Sequence, residues 1–193
     1  MHRIDTSDSH DELSPWTVEK SVHVLQDKWI SVRADTCRTA DGIEVSPFYV
    51  LEYPDWVQIV AMDDQDHVVL VEQYRHGLGI TSLELPTGAM EPDDGDPIAA
   101  AQRELAEETG LSADTWQHIA TLAPNPANQN NRCHVVLALG ARPHSVPDDD
   151  PTERVRVVRA TASEAVRLAR SGAIVQALHV AALALALTAI GRW

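Results

Sequence analysis

Three glutamates lie close together in the segment RELAEETG, which runs from Arg103 to Gly110. Glu104, Glu107 and Glu108 fall within an arc of roughly 100° on an α-helix, because each residue advances the helix by about that angle. Carboxylate oxygens are the ligands that Mg²⁺ prefers, and its shell is often completed by substrate phosphates. The spacing alone fits equally well a solvated helix face on which Arg103 pairs with Glu107.

The helix that carries these glutamates has clear boundaries in the sequence. Asp96 can cap it, Pro97 suits the first helical position, and Gly110 suits the position just past the end. The residues between them are almost all strong helix formers. We expect Ile98, Ala101 and Leu105 to face the core, with the acidic stripe beside them.

Strand-like runs flank this helix on both sides. Residues 56–62 and 67–75 predict a hairpin, and the Gly- and Pro-rich stretch that follows predicts a loop with one short strand near Ser82–Leu85. Further strands are predicted at 116–124, 133–140 and 154–160, followed by helices at 161–172 and about 174–190. The last helix is very apolar but contains Gln176 and His179, so we expect it to be buried rather than to span a membrane.

The composition limits the classes of partner. The 193 residues carry 15 Lys plus Arg against 29 Asp plus Glu, a formal charge of −14. Such a surface repels nucleic acid and anionic membranes, so a small phosphate-bearing ligand would need metal ions or local arginines. Cys37 and Cys133 form no CxxC pair, which argues against a thiolate zinc site and fits a reducing, cytoplasmic compartment.

The chain divides into three predicted parts. Residues 1–15 are polar and acidic and are expected to be disordered or loosely attached. Residues 16–54 are rich in β-branched and aromatic types, with a turn at TADG (Thr39–Gly42), and predict a small antiparallel β subdomain. Residues 55–193 then form the main domain.

The segment GAMEPDDGDPIAAAQRELAEETGL, from Gly88 to Leu111, resembles the Nudix box. Its second half matches the pattern R-E-apolar-x-E-E-x-G-apolar at every fixed position. The first half departs from the pattern: one extra residue separates Gly88 from Arg103, and the usual glutamate position holds Asp94 or Gly95. VVLVEQYR, LELPTG and the region after the box are similar to ADP-ribose pyrophosphatases and related nucleoside-diphosphate-sugar hydrolases, over about residues 16–190.

The resemblance implies a fold and an assembly. The expected fold is the α/β Nudix fold, a mixed β-sheet sandwiched between α-helices, preceded by the small antiparallel β subdomain. The subgroup often forms a swapped dimer through its N-terminal strands, so we expect a homodimer.

The resemblance also implies roles for the residues of the box. Mg²⁺, with Mn²⁺ as an alternative, is expected on Glu104, Glu107 and Glu108, and a backbone carbonyl near Thr87 or Gly88 would join the shell. Arg103 would position the glutamates. Glu153, in an acidic loop, stands where these enzymes carry a base or a further metal-site acid, and Glu104 is the alternative base.

Substrate contacts are expected in the same cleft. Arg75 ends an apolar strand and could hold a phosphate, although a surface arginine would look the same. Glu84 is expected near the metal or a ribose. Trp16, Trp29 and Trp56 are candidates for stacking on a base, although most tryptophans are packing residues.

The predicted reaction is Mg²⁺-dependent hydrolysis of a nucleoside diphosphate linked to a sugar. ADP-ribose, giving AMP and ribose 5-phosphate, or another ADP-sugar is the leading substrate. The segment NPANQNNR differs from the Ser-Pro-Gly loop common in ADP-ribose hydrolases, so a GDP-sugar or an NADH-type dinucleotide stays open as the substrate. A non-catalytic nucleotide sensor of the same fold is the alternative of a different class. A scaffold that uses the acidic surface is a third.

Overall fold

The structure is a computed structural model that describes residues 14–147 and 154–193. The described residues divide into two compact units, with the boundary between Tyr53 and Pro54. The predicted N-terminal segment 1–15 lies almost entirely outside the described residues.

The N-terminal unit is a three-stranded antiparallel sheet of β1 (Thr17–Gln26), β2 (Ser31–Arg38) and β3 (Glu44–Glu52). The predicted TADG turn joins β2 to β3, and Gly42 takes the positive φ of 82° that glycine adopts without strain. Every residue of β1 is exposed. The small sheet therefore shows the predicted antiparallel pairing, and the side chains on both faces of β1 are exposed.

The second unit contains the remaining strands and the helices. Within the described residues these are β4 (Trp56–Met62), β5 (His67–Arg75), β6 (Ile80–Glu84), β7 (Thr87–Ala89), α1 (Pro97–Thr109), β8 (Leu111–Ser112), β9 (Thr115–Leu122), β10 (Cys133–Leu139), β11 (Arg142–Pro143), β12 (Val155–Thr161), α2 (Ala162–Arg170) and α3 (Ala177–Ala189). The main sheet has the order β12-β5-β4-β10-β9. It is mixed, because β10 runs parallel to β4 while the other pairs are antiparallel.

The sheet splits between β4 and β5. The predicted hairpin of these strands is confirmed only beside its turn, where Met62 pairs with Val68. Beyond that pair β7 adds to β4 and β6 adds to β5, so the two long strands diverge. The loop prediction missed β7, because a three-residue strand depends on its partner rather than on its own sequence.

Each face of the main sheet has its own apolar core. Val57, Ile59 and Ala61 of β4 pack with Leu105 of α1 on one face. On the other face, residues such as Val60 pack with α2 and α3. The alternation follows from the two-residue period of a strand that is covered on both sides. The prediction of a mixed sheet between helices is confirmed.

The α1 helix has the predicted boundaries. The side chain of Asp96 accepts hydrogen bonds from the backbone N–H groups of Ile98 and Ala99, and Pro97 follows as the first helical residue. Gly110 ends the helix in the left-handed conformation, at φ 68°. These local signals place the acidic stripe at a fixed point against the sheet.

Candidate active site

A cleft of about 480 Å³ lies in the second unit, beside the point where the sheet splits. It is lined by residues of both diverging strands, of β7, of α1 and of the segment before α3: Trp56, Gln58, Gln73, Arg75, Thr87, Gly88, Ala89, Glu104, Glu108 and Gln176. The lining of the cleft thus includes one arginine and two carboxylates of the acidic stripe.

Arg103 holds two carboxylates of the stripe together. Its NH1 group donates to Oε1 of Glu104 at 2.8 Å and to Oε2 of Glu107 at 2.9 Å. Glu104 is largely buried, and this burial raises the pKa of its carboxyl above the ordinary value, although Arg103 opposes the shift. The predicted pairing of Arg103 with Glu107 is present, but the same guanidinium also contacts Glu104.

The rest of the Arg103 guanidinium is bound to the loop before the helix. Nε donates to Oδ1 of Asp94 at 3.0 Å, and NH2 donates to Oδ2 at 2.9 Å and to the carbonyl of Ala89 at 2.9 Å. The hydrogen bonds from Arg103 lower the pKa of Asp94, and those to Asp94 raise the pKa of Arg103. Of the two residues that the sequence left open for the acidic position of the box, Asp94 supplies the carboxylate.

The β7 strand fits closely against the stripe. A methyl group added at Gly88 would overlap the carboxylate of Glu104, so a larger residue at this position would displace that carboxylate. The backbone N–H of Thr87 donates to Oε2 of Glu108 at 3.1 Å. The hydroxyl of Thr87 donates in turn to the carbonyl of Val57 at 2.7 Å, which fixes β7 to β4. Two glutamates of the stripe therefore lie directly on the backbone of β7.

The carboxylates of the stripe could bind a divalent cation. In residues 14–147 and 154–193, no three His, Cys, Asp or Glu side chains converge as a metal shell. Arg103 and the Thr87 N–H occupy oxygens of the three glutamates instead. The donor set still suits a hard cation, because it offers carboxylate oxygens beside the backbone of Thr87 and Gly88.

Arg75 and Glu84 form a second ionic group at the cleft. Nε of Arg75 donates to Oε1 of Glu84 at 3.0 Å, and NH2 donates to Oε2 at 2.7 Å. Glu84 is nearly buried, with 4% of its side chain exposed, whereas 40% of the Arg75 side chain is exposed. Burial would raise the pKa of Glu84, but the hydrogen bonds from His179 and Arg75 outweigh it and lower the pKa well below the ordinary value.

His179 was not predicted as part of this group. It is fully buried, and its Nε2 lies 3.1 Å from Oε2 of Glu84. The only sequence signal is a lone histidine in an otherwise apolar helix, which is also typical of a core residue with a satisfied ring. Nothing in the local sequence relates it to Glu84, 95 positions earlier.

The remaining predicted residues are in different places. Trp56 lines the cleft. Trp16 and Trp29 belong to the N-terminal unit. The ring of Trp16 packs edge to face on the ring of Phe48, with 5.8 Å between the ring centroids, and Trp29 is exposed. Their roles in binding a base stay predictions. Glu153 lies outside the described residues.

Comparison with known proteins identifies the class. The NUDIX domain profile matches residues 53–177, which is more than half of the chain, and the chain belongs to this family. Residues 16–51 match the nucleoside diphosphate sugar hydrolase N-terminal domain. The prediction of a Nudix pyrophosphohydrolase is confirmed, and such hydrolases generally use a divalent metal ion.

Individual relatives support the assignment. An ADP-ribose pyrophosphatase of Mycobacterium tuberculosis is 36% identical over 152 residues, covering 78% of this chain and 73% of the relative. A methanol dehydrogenase activator of Bacillus methanolicus is 26% identical over 77% of this chain and 80% of its own. A crystal structure of an ADP compounds hydrolase superposes with a TM-score of 0.84 at 25% identity, covering 95% of this chain and all of the other. Among the described residues, no helix is long and apolar enough to cross a membrane.

Proposed function

We propose that the protein hydrolyses the diphosphate of a nucleoside diphosphate linked to a sugar, with ADP-ribose converted to AMP and ribose 5-phosphate. The main support for the proposal is the cleft, which is lined by Arg75 together with Glu104 and Glu108 of α1. A diphosphate needs a cation to be held, and its hydrolysis needs carboxylates that bind metal or accept a proton. The similar proteins include an ADP-ribose pyrophosphatase and an ADP compounds hydrolase, which supports ADP-ribose as the substrate.

Arg75 is proposed to bind a phosphate of the substrate. Its guanidinium is planar, always charged and partly exposed in the cleft, which suits a bidentate contact with phosphate oxygens. Glu84 neutralises part of that charge and holds the group at the wall of the cleft. Glu84 itself is nearly buried behind Arg75, so we propose that it orients the arginine rather than binding a ribose.

Glu104, Glu107 and Glu108 are proposed to hold Mg²⁺, with Mn²⁺ as an alternative, together with a backbone carbonyl of Thr87 or Gly88. When bound, such an ion neutralises charge on the diphosphate and lowers the pKa of a coordinated water. Arg103 keeps Glu104 and Glu107 adjacent.

The reaction adds water to one phosphorus and breaks its bond to the bridging oxygen, which leaves with the second phosphate. A carboxylate must accept a proton of that water. We propose Glu153 for this role from its position in the acidic loop. Glu104 is the alternative, since it lines the cleft next to Gly88.

We also propose a homodimer formed through the N-terminal strands. Every residue of β1 is exposed, including Val18, Val22, Val24 and Leu25. An open strand with this many apolar side chains is a template for pairing with another chain. The two buried free cysteines, Cys37 and Cys133, support the proposal of a cytoplasmic location.

A substrate panel tests the function. The purified protein is incubated with ADP-ribose, ADP-glucose, GDP-mannose and NADH, each with Mg²⁺ and with EDTA, and the products are separated by chromatography. We expect AMP and ribose 5-phosphate to form fastest from ADP-ribose with Mg²⁺, and no product with EDTA. Faster hydrolysis of GDP-mannose or NADH would show that this compound, and not ADP-ribose, is the preferred substrate. No turnover of any compound, with thermal stabilisation by ADP-ribose, would favour a nucleotide sensor instead.

A further inference from the structure

His179 makes hydrogen bonds through both nitrogens of its ring, and they fix its tautomer. Nδ1 accepts from the backbone N–H of Leu85 at 3.4 Å and lies 3.1 Å from Nε2 of Gln58. A ring nitrogen that accepts a hydrogen bond carries no proton. The proton of the neutral ring is therefore on Nε2, which donates to Oε2 of Glu84 at 3.1 Å.

Glu84 receives hydrogen bonds from two directions. His179 donates from the interior of the protein, and Arg75 donates from the cleft side through Nε and NH2. Oε2 of Glu84 is the acceptor shared by NH2 of Arg75, at 2.7 Å, and by Nε2 of His179. A continuous chain of contacts thus runs from the β6–β7 backbone at Leu85, through the imidazole and the carboxylate, to a guanidinium that lines the cleft.

We propose that His179 is a positioning residue that orients Glu84 so that Arg75 presents its guanidinium to a phosphate of the substrate. This inference rests on the proposed role of Arg75 in binding the diphosphate. The carboxylate of Glu84 can turn about its last torsion, and the Nε2–H of His179 selects the orientation that Arg75 matches with two nitrogens. An arginine loses rotamer entropy when it binds, so an arginine that is already held in place binds phosphate more tightly.

Substitutions at His179 can separate this role from packing. His179→Gln keeps a donor, because the amide nitrogen of glutamine reaches about as far from the backbone as Nε2. His179→Met fills a similar volume and offers no donor, and His179→Asn offers an amide that is too short to reach Glu84. Leu183→Ala is the matched control: it lies one turn further along α3, is also fully buried and has no part in the chain of contacts.

Steady-state kinetics with ADP-ribose and Mg²⁺ are the first measurement. We expect His179→Met and His179→Asn to raise KM about tenfold, the size of one charge-assisted hydrogen bond, with kcat changed less than threefold. His179→Gln should return KM to within about threefold of the unsubstituted protein. Leu183→Ala should lower the melting temperature and leave KM unchanged. If His179→Met fails to fold, His179→Asn takes its place in the comparison.

A second measurement needs no substrate. The Nε–H proton of Arg75, assigned by its loss in Arg75→Lys, should exchange slowly with water in the unsubstituted protein and in His179→Gln, and quickly in His179→Met. If no diphosphate compound is hydrolysed but this exchange pattern holds, the proposed function fails while His179 still orients Arg75. The inference is overturned if folded His179→Met keeps both KM and slow exchange, or if His179→Gln is as impaired as His179→Met.

Discussion

Arg103 and Asp94 form a two-point ion pair that joins the acidic helix to the loop before it. Nε and NH2 of the arginine donate to the two carboxylate oxygens at 3.0 and 2.9 Å. The loop departs from the Nudix pattern by one residue in length and by an aspartate where glutamate is usual. The pair shows that this shorter acid still reaches Arg103, so the arginine can hold Glu104 and Glu107 with its remaining nitrogen.

Asp94→Asn should therefore lower both the activity and the stability of the protein. The loss of a nearly buried charge from a two-point pair is expected to lower the free energy of unfolding by about 1–3 kcal/mol, as measured by urea denaturation. It should also lower kcat about tenfold or more, because Arg103 no longer fixes the glutamates. Asp93→Asn, at the exposed neighbouring position, is the control and should change neither quantity. A normal kcat in Asp94→Asn would show that the pair serves the fold alone.

Gly88→Ala should displace Glu104. The added methyl group would overlap the carboxylate of Glu104, which must swing away from β7. We expect kcat to fall about 100-fold, since a misplacement near 1 Å in a catalytic group can have that effect. Gly77→Ala is the control, because a methyl group there meets nothing within 4 Å. Equal activity of the two variants would mean that the position of Glu104 against Gly88 is not needed for turnover.

The sequence predicted the site best where local rules apply. Asp96, Pro97 and Gly110 define α1 without help from the rest of the chain, and the helical repeat then places Glu104 and Glu108 on one stripe. The sequence was a poorer guide to strand pairing, because several strands can pair with the same neighbour. The hairpin of β4 and β5 opens after the pair Met62–Val68, because β6 and β7 provide alternative partners from further along the chain.

Pairs of residues that are distant in sequence could not be predicted either. Arg75 and Glu84 were both expected in the cleft, but their direct pairing depends on the register of β5 with β6. His179 reaches Glu84 only because α3 packs on the sheet, and no local pattern reports that packing. Sequence also could not decide between Asp94 and Gly95, since one inserted residue changes which side chain faces Arg103.

Glu84→Gln should make stability less dependent on pH in acid. The folded pKa of Glu84 is lowered, so its ionisation contributes stability that is fully present above the ordinary value of 4.5 and is lost as pH falls below it. Urea unfolding at pH 7 should show the variant to be about 2 kcal/mol less stable, and the difference should shrink at pH 3.5. A difference that stays constant or grows in acid would contradict an ionised Glu84.

Charge placed on β1 should dissociate the proposed dimer. Val22 and Val24 are about half exposed on this strand. Aspartates at both positions would place charge in the dimer interface, against the aspartates or the apolar side chains of the second copy. Sedimentation velocity should show a dimer for the unsubstituted protein and a monomer for Val22→Asp/Val24→Asp. Val175→Asp, in the second unit and with 47% exposure against 46% for Val22, should stay dimeric. A monomeric unsubstituted protein at micromolar concentration would rule the proposal out.

The need for metal-binding carboxylates on α1 can be measured most directly by following ADP-ribose with ³¹P NMR in the presence of Mg²⁺. The unsubstituted protein is compared with Glu108→Gln and with the control Glu91→Gln, which changes an exposed acid outside the cleft. We expect the diphosphate signals to be replaced by those of two phosphate monoesters with the unsubstituted protein and with Glu91→Gln. Glu108→Gln should be slower by about 100-fold or more. Equal rates for Glu108→Gln and Glu91→Gln, or undiminished turnover in EDTA, would contradict a reaction that depends on a metal ion held by the carboxylates of α1.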